Sequence, residues 1–140
     1  MPIIDAAVQE GVPGPRLKSA RAIWDFAVEG GAIGTIGLMG GTLIPSGAMI
    51  LGGYMEVHTG VVGAGATAAM QVNAANDLVA AAAVAGAPWS TTGIKAIIPT
   101  FAAATMIRLT AARDISLVIT AAVLTAGRLS VVLFYQDPLA

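Results

Sequence analysis

Two stretches towards the end of the sequence alternate with the period of a β-strand. Ile115, Leu117 and Ile119 interleave with Ser116, Val118 and Thr120, and Leu129, Val131, Leu133 and Tyr135 interleave with Arg128, Ser130, Val132 and Phe134. Side chains change face at every residue of a strand, so each stretch lays an aliphatic row on one face. Thr125-Ala126-Gly127 lies between them, and glycine supplies the backbone freedom that a reversal needs. The pattern predicts an antiparallel hairpin. A lone hairpin is only marginally stable in water, so the remaining residues must supply further strands and cover the second face.

Upstream, the alternation is cleanest over residues 21–29. Ala22, Trp24, Phe26 and Val28 form one row opposite Arg21, Asp25 and Glu29, and Gly30-Gly31 ends the strand. A short strand is expected over residues 35–39, followed by a β-turn at Ile44-Pro45-Ser46-Gly47 with proline at its second position. A long strand over residues 48–59 carries Gly52-Gly53, which predicts a bulge or bend. Residues 66–73, 93–99 and 104–110 are three more expected strands. Residues 77–85, rich in alanine and opened by Asn76-Asp77, predict a short helix or helical loop ending at Gly86. About eight short strands, with turn signals near every ten residues, point to an all-β fold. Its expected form is an antiparallel β-sandwich, jelly-roll-like, with at most one short helix.

Residues 1–18 break the pattern. Val12-Pro13-Gly14-Pro15-Arg16 cannot form regular helix, because proline fixes φ and drives the preceding residue to extended angles. The organisation expected is an extended N-terminal arm, residues 1–18, and a sandwich domain, residues 19–140. A terminal segment of this kind is ordered only when something holds it. The expectation is an arm lying on a neighbouring subunit or partner protein, with folding back onto its own domain as the alternative. The residues proposed to carry that contact are Ile3, Ile4, Pro13, Pro15, Arg16, Lys18 and Arg21. Trp89, next to Pro88 in a loop, is a further candidate for an interface aromatic.

Composition sharpens the picture. Of 140 residues, 56% are hydrophobic and 11% charged, with a net charge of −1; an ordinary soluble domain carries about 25% charged residues. So thin a coat of ions makes for poor solubility as a lone particle, and burial against other copies, other proteins or lipid would relieve it. Residues 30–55 hold no charge and are long enough to span a bilayer. Their many glycines, the Pro45-Ser46-Gly47 interruption and the lack of flanking Lys or Arg argue instead for short strands around a turn, and no membrane partner is expected. Residues 1–10 lack the basic start of a secretory signal. No basic stripe exists for nucleic acid.

Chemistry is sparse. There is no cysteine, which excludes disulfides, thiol catalysis and thiolate metal sites. His58 is the only histidine; with Glu56 on the same strand face, and conceivably Asp25 on a paired strand, it falls short of the three or four ligands a transition metal gathers. No G-x-S-x-G elbow accompanies it, and Gly60-Val61-Val62-Gly63-Ala64-Gly65 lacks the lysine of a phosphate loop. The expectation is a protein that is not an enzyme and binds no cofactor.

The turn sequences Thr42-Leu43-Ile44-Pro45-Ser46-Gly47-Ala48, Asp77-Leu78-Val79-Ala80-Ala81, Ser90-Thr91-Thr92-Gly93-Ile94-Lys95, Thr110-Ala111-Ala112-Arg113 and Leu124-Thr125-Ala126-Gly127-Arg128 resemble a group of small all-β virion proteins of tailed bacteriophages, described as head decoration (cement) or head-fibre proteins and sometimes as minor tail proteins. The resemblance runs from about Arg21 to Tyr135 and leaves the arm outside. It implies a structural protein made in the host cytoplasm and placed on the outer surface of the capsid. Its implied partners are the major capsid protein and further copies of itself, as a trimer where capsid subunits meet, and it implies no catalytic residues. The alternative is a fibre, tail or adhesin-like module that recognises a host surface or another virion component.

Overall fold

The computed structural model describes residues 17–137. These form nine strands, β1 (Leu17–Asp25), β2 (Gly34–Gly37), β3 (Met49–Val62), β4 (Thr67–Gln71), β5 (Val79–Ala83), β6 (Gly93–Thr100), β7 (Ile107–Arg108), β8 (Ser116–Thr120) and β9 (Ala126–Gln136), with one short helix, α1 (Phe26–Glu29). They build two antiparallel sheets. Sheet A runs β1-β9-β3-β6, with β7 paired to the far end of β3, and sheet B runs β2-β8-β4-β5. The architecture is the all-β sandwich with a short helix that the alternation predicts. Four antiparallel pairs are nested: β1 with β9, β2 with β8, β3 with β6 and β4 with β5.

The core lies between the sheets. Ala20, Ala22 and Trp24 of β1, Leu129, Val131 and Leu133 of β9, and Ile50, Met55 and Val57 of β3 face Met70 of β4, Val79 of β5 and Leu117 and Ile119 of β8, all buried. Ala22 with Trp24, Leu117 with Ile119, and Leu129, Val131 and Leu133 are rows read from the period-two pattern, and burying one such row per strand is what makes the sandwich stable. Gly52-Gly53 is the expected bend: the register of β3 slips there against both β9 and β6.

Four local expectations are corrected. The strand expected over residues 21–29 begins earlier and stops at Asp25, whose carboxylate accepts the Ala27 N–H at 3.0 Å and caps α1; the Gly30 N–H closes that turn on the Phe26 carbonyl. The alanine-rich segment at 77–85 is not helical. Asp77 does act as a cap, but for the turn before it: its carboxylate accepts N–H bonds from Val72, Asn73 and Ala74, and the alanines then pair with β4. A two-turn helix is too short to hold itself together, so strand pairing prevails over alanine's propensity. In place of a strand over residues 104–110 there is a 3-10 turn (Ala103–Thr105) and the two-residue β7. The Thr105 hydroxyl takes the Thr100 N–H and donates to the Ala102 carbonyl, which locks the turn.

The hairpin at residues 115–135 is the fourth. Both strands form, but β8 lies in sheet B and β9 in sheet A. The connector crosses the end of the sandwich: the Leu124 N–H bonds to the Gly31 carbonyl at 2.8 Å and the Thr125 N–H to the Val62 carbonyl at 2.7 Å, while the Leu124 side chain is buried between the layers. Gly31 is required by that crossing, since a Cβ there would overlap the Leu124 backbone.

Candidate interaction surface

The outer faces of the two sheets differ in charge. On sheet A, cross-strand rows run Ile23–Ser130–Glu56–Ile94, Arg21–Val132–Tyr54–Ala96 and Ser19–Phe134–Gly52–Thr100. Asp25 and Arg128 lie at one end of these rows. Lys18 forms an ion pair with Asp137 near the other end. The four strands of sheet B contain no charged residue at all. Their outward positions are Thr35, Gly37, Thr67, Ala69, Gln71, Ser116, Val118 and Thr120, in register across β2, β8 and β4. A sheet face that stays in water normally alternates its core row with charged and polar residues. The strands of sheet B present neutral, mostly small outward side chains instead, with the Asp114 carboxylate beside Ser116 and Gly37 as a charge on that face; neutral small side chains give up little hydration when another protein covers them.

The structure also gathers one set of polar residues that the sequence spacing cannot reveal. His58 Nε2 lies 3.1 Å from Ser130 Oγ, 72 residues away in sequence, and His58 Nδ1 lies 4.0 Å from Glu56 Oε2. The three residue types match a hydrolytic triad, but the geometry does not serve one. The Glu56–His58 separation is too long for an orienting hydrogen bond, and Ser130 is only 4% exposed. Ser130 sits mid-strand in β9, between β1 and β3, so the surrounding backbone N–H groups are committed to ladders rather than to an oxyanion hole. Among the described residues no group of three or more His, Asp and Glu is placed to hold a metal ion, and no helix is long and apolar enough to cross a membrane.

Two shallow clefts can be described among residues 17–137. One, of about 350 Å³, is lined by Val61, Val62, Ala64, Val84 and Ser90; the other, of about 340 Å³, by Ile23, Asp25, Val28, Glu29, Leu38 and Arg128. The Arg128 Nε to Asp25 Oδ2 distance in the second is 4.0 Å, an exposed pair of little energetic weight.

Of the arm residues named from sequence, Ile3, Ile4, Pro13, Pro15 and Arg16 lie outside the described residues. Lys18 and Arg21 are part of β1: Lys18, opposite Tyr135, shares the face of Ala20, Ala22 and Trp24 at the end of the strand, and Arg21, opposite Val132, is on the outer face of sheet A. Trp89 is corrected: it is 0% exposed, a core residue whose carbonyl accepts the Val61 N–H at 2.9 Å, and its ring is not available to a partner as an exposed aromatic. The exposed aromatic is Phe101, which sequence inspection passes over because a lone Phe after Pro99-Thr100 looks like the end of a strand row.

The molecule therefore belongs to the two-layer antiparallel β class. No protein-family model and no curated protein matches the sequence. Solved structures share the fold. A chain in the acidic stable capsid structure of Helicobacter pylori bacteriophage KHP30 matches with a TM-score of 0.57 at 13% identity, over 87% of this chain and 88% of that one. A chain of the cyanophage Pam1 capsid asymmetric unit matches with a TM-score of 0.56 at 18% identity, over 93% and 94% respectively.

Proposed function

We propose that this chain is a non-enzymatic structural protein of a phage virion, one that decorates and cements the assembled capsid. The observation that carries the reading is the absence of charged residues from the four strands of sheet B, on a fold shared over most of the chain with chains from two phage capsid structures. The nested strand pairing supports it further, since nesting of this kind is expected of a jelly roll, an architecture used by capsid and lectin domains.

A cementing protein has to touch at least two neighbours. In this reading the sheet B face packs against one subunit, and the arm, with Ile3, Ile4 and Arg16, reaches another from the sheet A side. The partners are the major capsid protein and further copies of this chain, as a trimer at junctions between capsid subunits on the outer surface. Binding only the assembled lattice stabilises that lattice by mass action, and several weak contacts per copy act together.

The test is co-sedimentation of the purified chain with empty shells of the accompanying major capsid protein. Saturable, stoichiometric binding is expected, with loss of binding on deletion of residues 1–16. No binding to shells, with retention on host cells instead, overturns the capsid reading in favour of the fibre or adhesin alternative.

A further inference from the structure

The outer face of sheet A carries an exposed apolar patch built around Phe101. The Phe101 backbone is left-handed, with φ of 64°, a region that a bulky L-residue enters only when its surroundings impose it. A bond from the Phe101 N–H to the Leu51 carbonyl at 2.7 Å and the Thr100–Thr105 lock hold it there. Its ring lies over Gly52, with its centroid 6.1 Å from that of Phe134, and the residue is 55% exposed. Val132 and Tyr54 form the next cross-strand row, and Ile94, 71% exposed, stands in the row after it. A contiguous apolar patch on an outer face marks a contact surface, and this aromatic platform is kept there by a strained backbone.

Two charges of opposite sign flank the patch. Arg21, on β1, is exposed and forms no ion pair with any described residue. Glu56, on β3, pairs with no Lys or Arg among the described residues; the His58 ring approaches it at 4.0 Å. Strand β9 runs between the two. Strands lie about 4.8 Å apart, and side chains on one face are about 6.8 Å apart along a strand, so the midpoint between the two charges falls on β9 between Ser130 and Val132. A twofold axis lying in the plane of contact, through that midpoint and perpendicular to the line joining the charges, exchanges Arg21 with Glu56. The same axis runs on towards Phe101, so that the apolar centre closes on itself. A foreign protein would have to supply both charges at this spacing, whereas a second copy carries them already.

We propose that two copies of this chain pair through the outer faces of sheet A, Arg21 of each on Glu56 of the other, with the Phe101 and Phe134 rings at the centre. The pairing leaves sheet B free and adds a twofold contact between copies to the contacts of the capsid reading. It is tested without shells, so either can fail without the other.

The test is sedimentation velocity on the purified full-length chain at micromolar concentrations, with thermal melts to check that each variant is folded. A reversible dimer is expected. Arg21→Glu and Glu56→Arg should each weaken it by about tenfold or more, and an equal mixture of the two variants should restore it, because a mixed pair again opposes unlike charges at both places. Phe101→Asn, which tolerates the left-handed backbone, should weaken it by about the same factor. A chain that stays monomeric across the range overturns the proposal. So does an association that these substitutions leave unchanged, or one that mixing the two charge variants does not restore.

Discussion

The Phe101 and Phe134 rings meet at 6.1 Å between centroids, tilted by 34°, because Gly52 between them has no side chain. A Cβ at Gly52 would overlap the Phe101 ring, which can swing outward. A Cβ at the neighbouring Gly53 would overlap the Val132 carbonyl, which is held in the β3–β9 ladder, and Gly53 also has a φ of 154°. Gly52→Ala is expected to cost about 1 kcal/mol and Gly53→Ala about 3 kcal/mol. Urea unfolding midpoints of the two variants check the order.

The two tryptophans are both fully buried but differently satisfied. The Trp24 indole N–H donates to the Gly30 carbonyl at 2.9 Å, whereas the buried Trp89 Nε1 has no hydrogen-bond partner among the described residues. Replacing Trp24 by Phe strands the Gly30 carbonyl, and replacing Trp89 by Phe removes a donor that makes no bond. Trp24→Phe should therefore be less stable than Trp89→Phe by about 1 kcal/mol, as read from thermal unfolding of the pair.

Asp77 organises the β4–β5 turn by accepting three N–H bonds, from Val72 at 2.8 Å, Asn73 at 2.9 Å and Ala74 at 2.7 Å. Asp77→Ala leaves three donors to find water and should cost about 2 kcal/mol. Hydrogen exchange should be faster at those three amides and unchanged at the centre of β9; equal loss throughout the chain would mean that the turn is not a local unit.

The charge-free strands of sheet B give a test that separates binding from folding. Thr120→Lys places a charge at an exposed outward position of β8, and Ala96→Lys does the same on β6 of sheet A. Both should leave stability within about 0.5 kcal/mol. Only Thr120→Lys is expected to abolish co-sedimentation with capsid shells.

What the sequence made legible was local. Ala22 and Trp24, Leu117 and Ile119, and Leu129, Val131 and Leu133 are buried as their alternation implies, whereas Val28, read into the row of Trp24, is exposed because the strand stops at Asp25. A period of two says which side of a strand is apolar. It does not say which strand lies beside it. Residues 115–120 and 126–136 look like neighbours along the chain and occupy opposite sheets; the deciding contacts, Leu124 to Gly31 and Thr125 to Val62, come from residues far away in sequence. Propensity misled in the same way at residues 79–83, where pairing with β4 outweighs alanine. Low charge content was legible from composition, but its concentration away from sheet B emerges only once strands are assigned to layers. The exposed Phe101 platform depends on a glycine in another strand and a left-handed backbone, neither of which carries a sequence signature.

The place of β9 has a consequence for how the molecule is made. It is the last of the described strands, yet it sits between β1 and β3 and pairs with both. Until residues 126–136 have emerged from the ribosome, sheet A is two separate pieces and the core row of Trp24 has no neighbour beside it. Closure must then bring together residues more than a hundred positions apart, a slow step for any chain. Folding is thereby postponed until synthesis has passed this strand, and a nascent chain stalled short of it is left with its apolar rows open to aggregation.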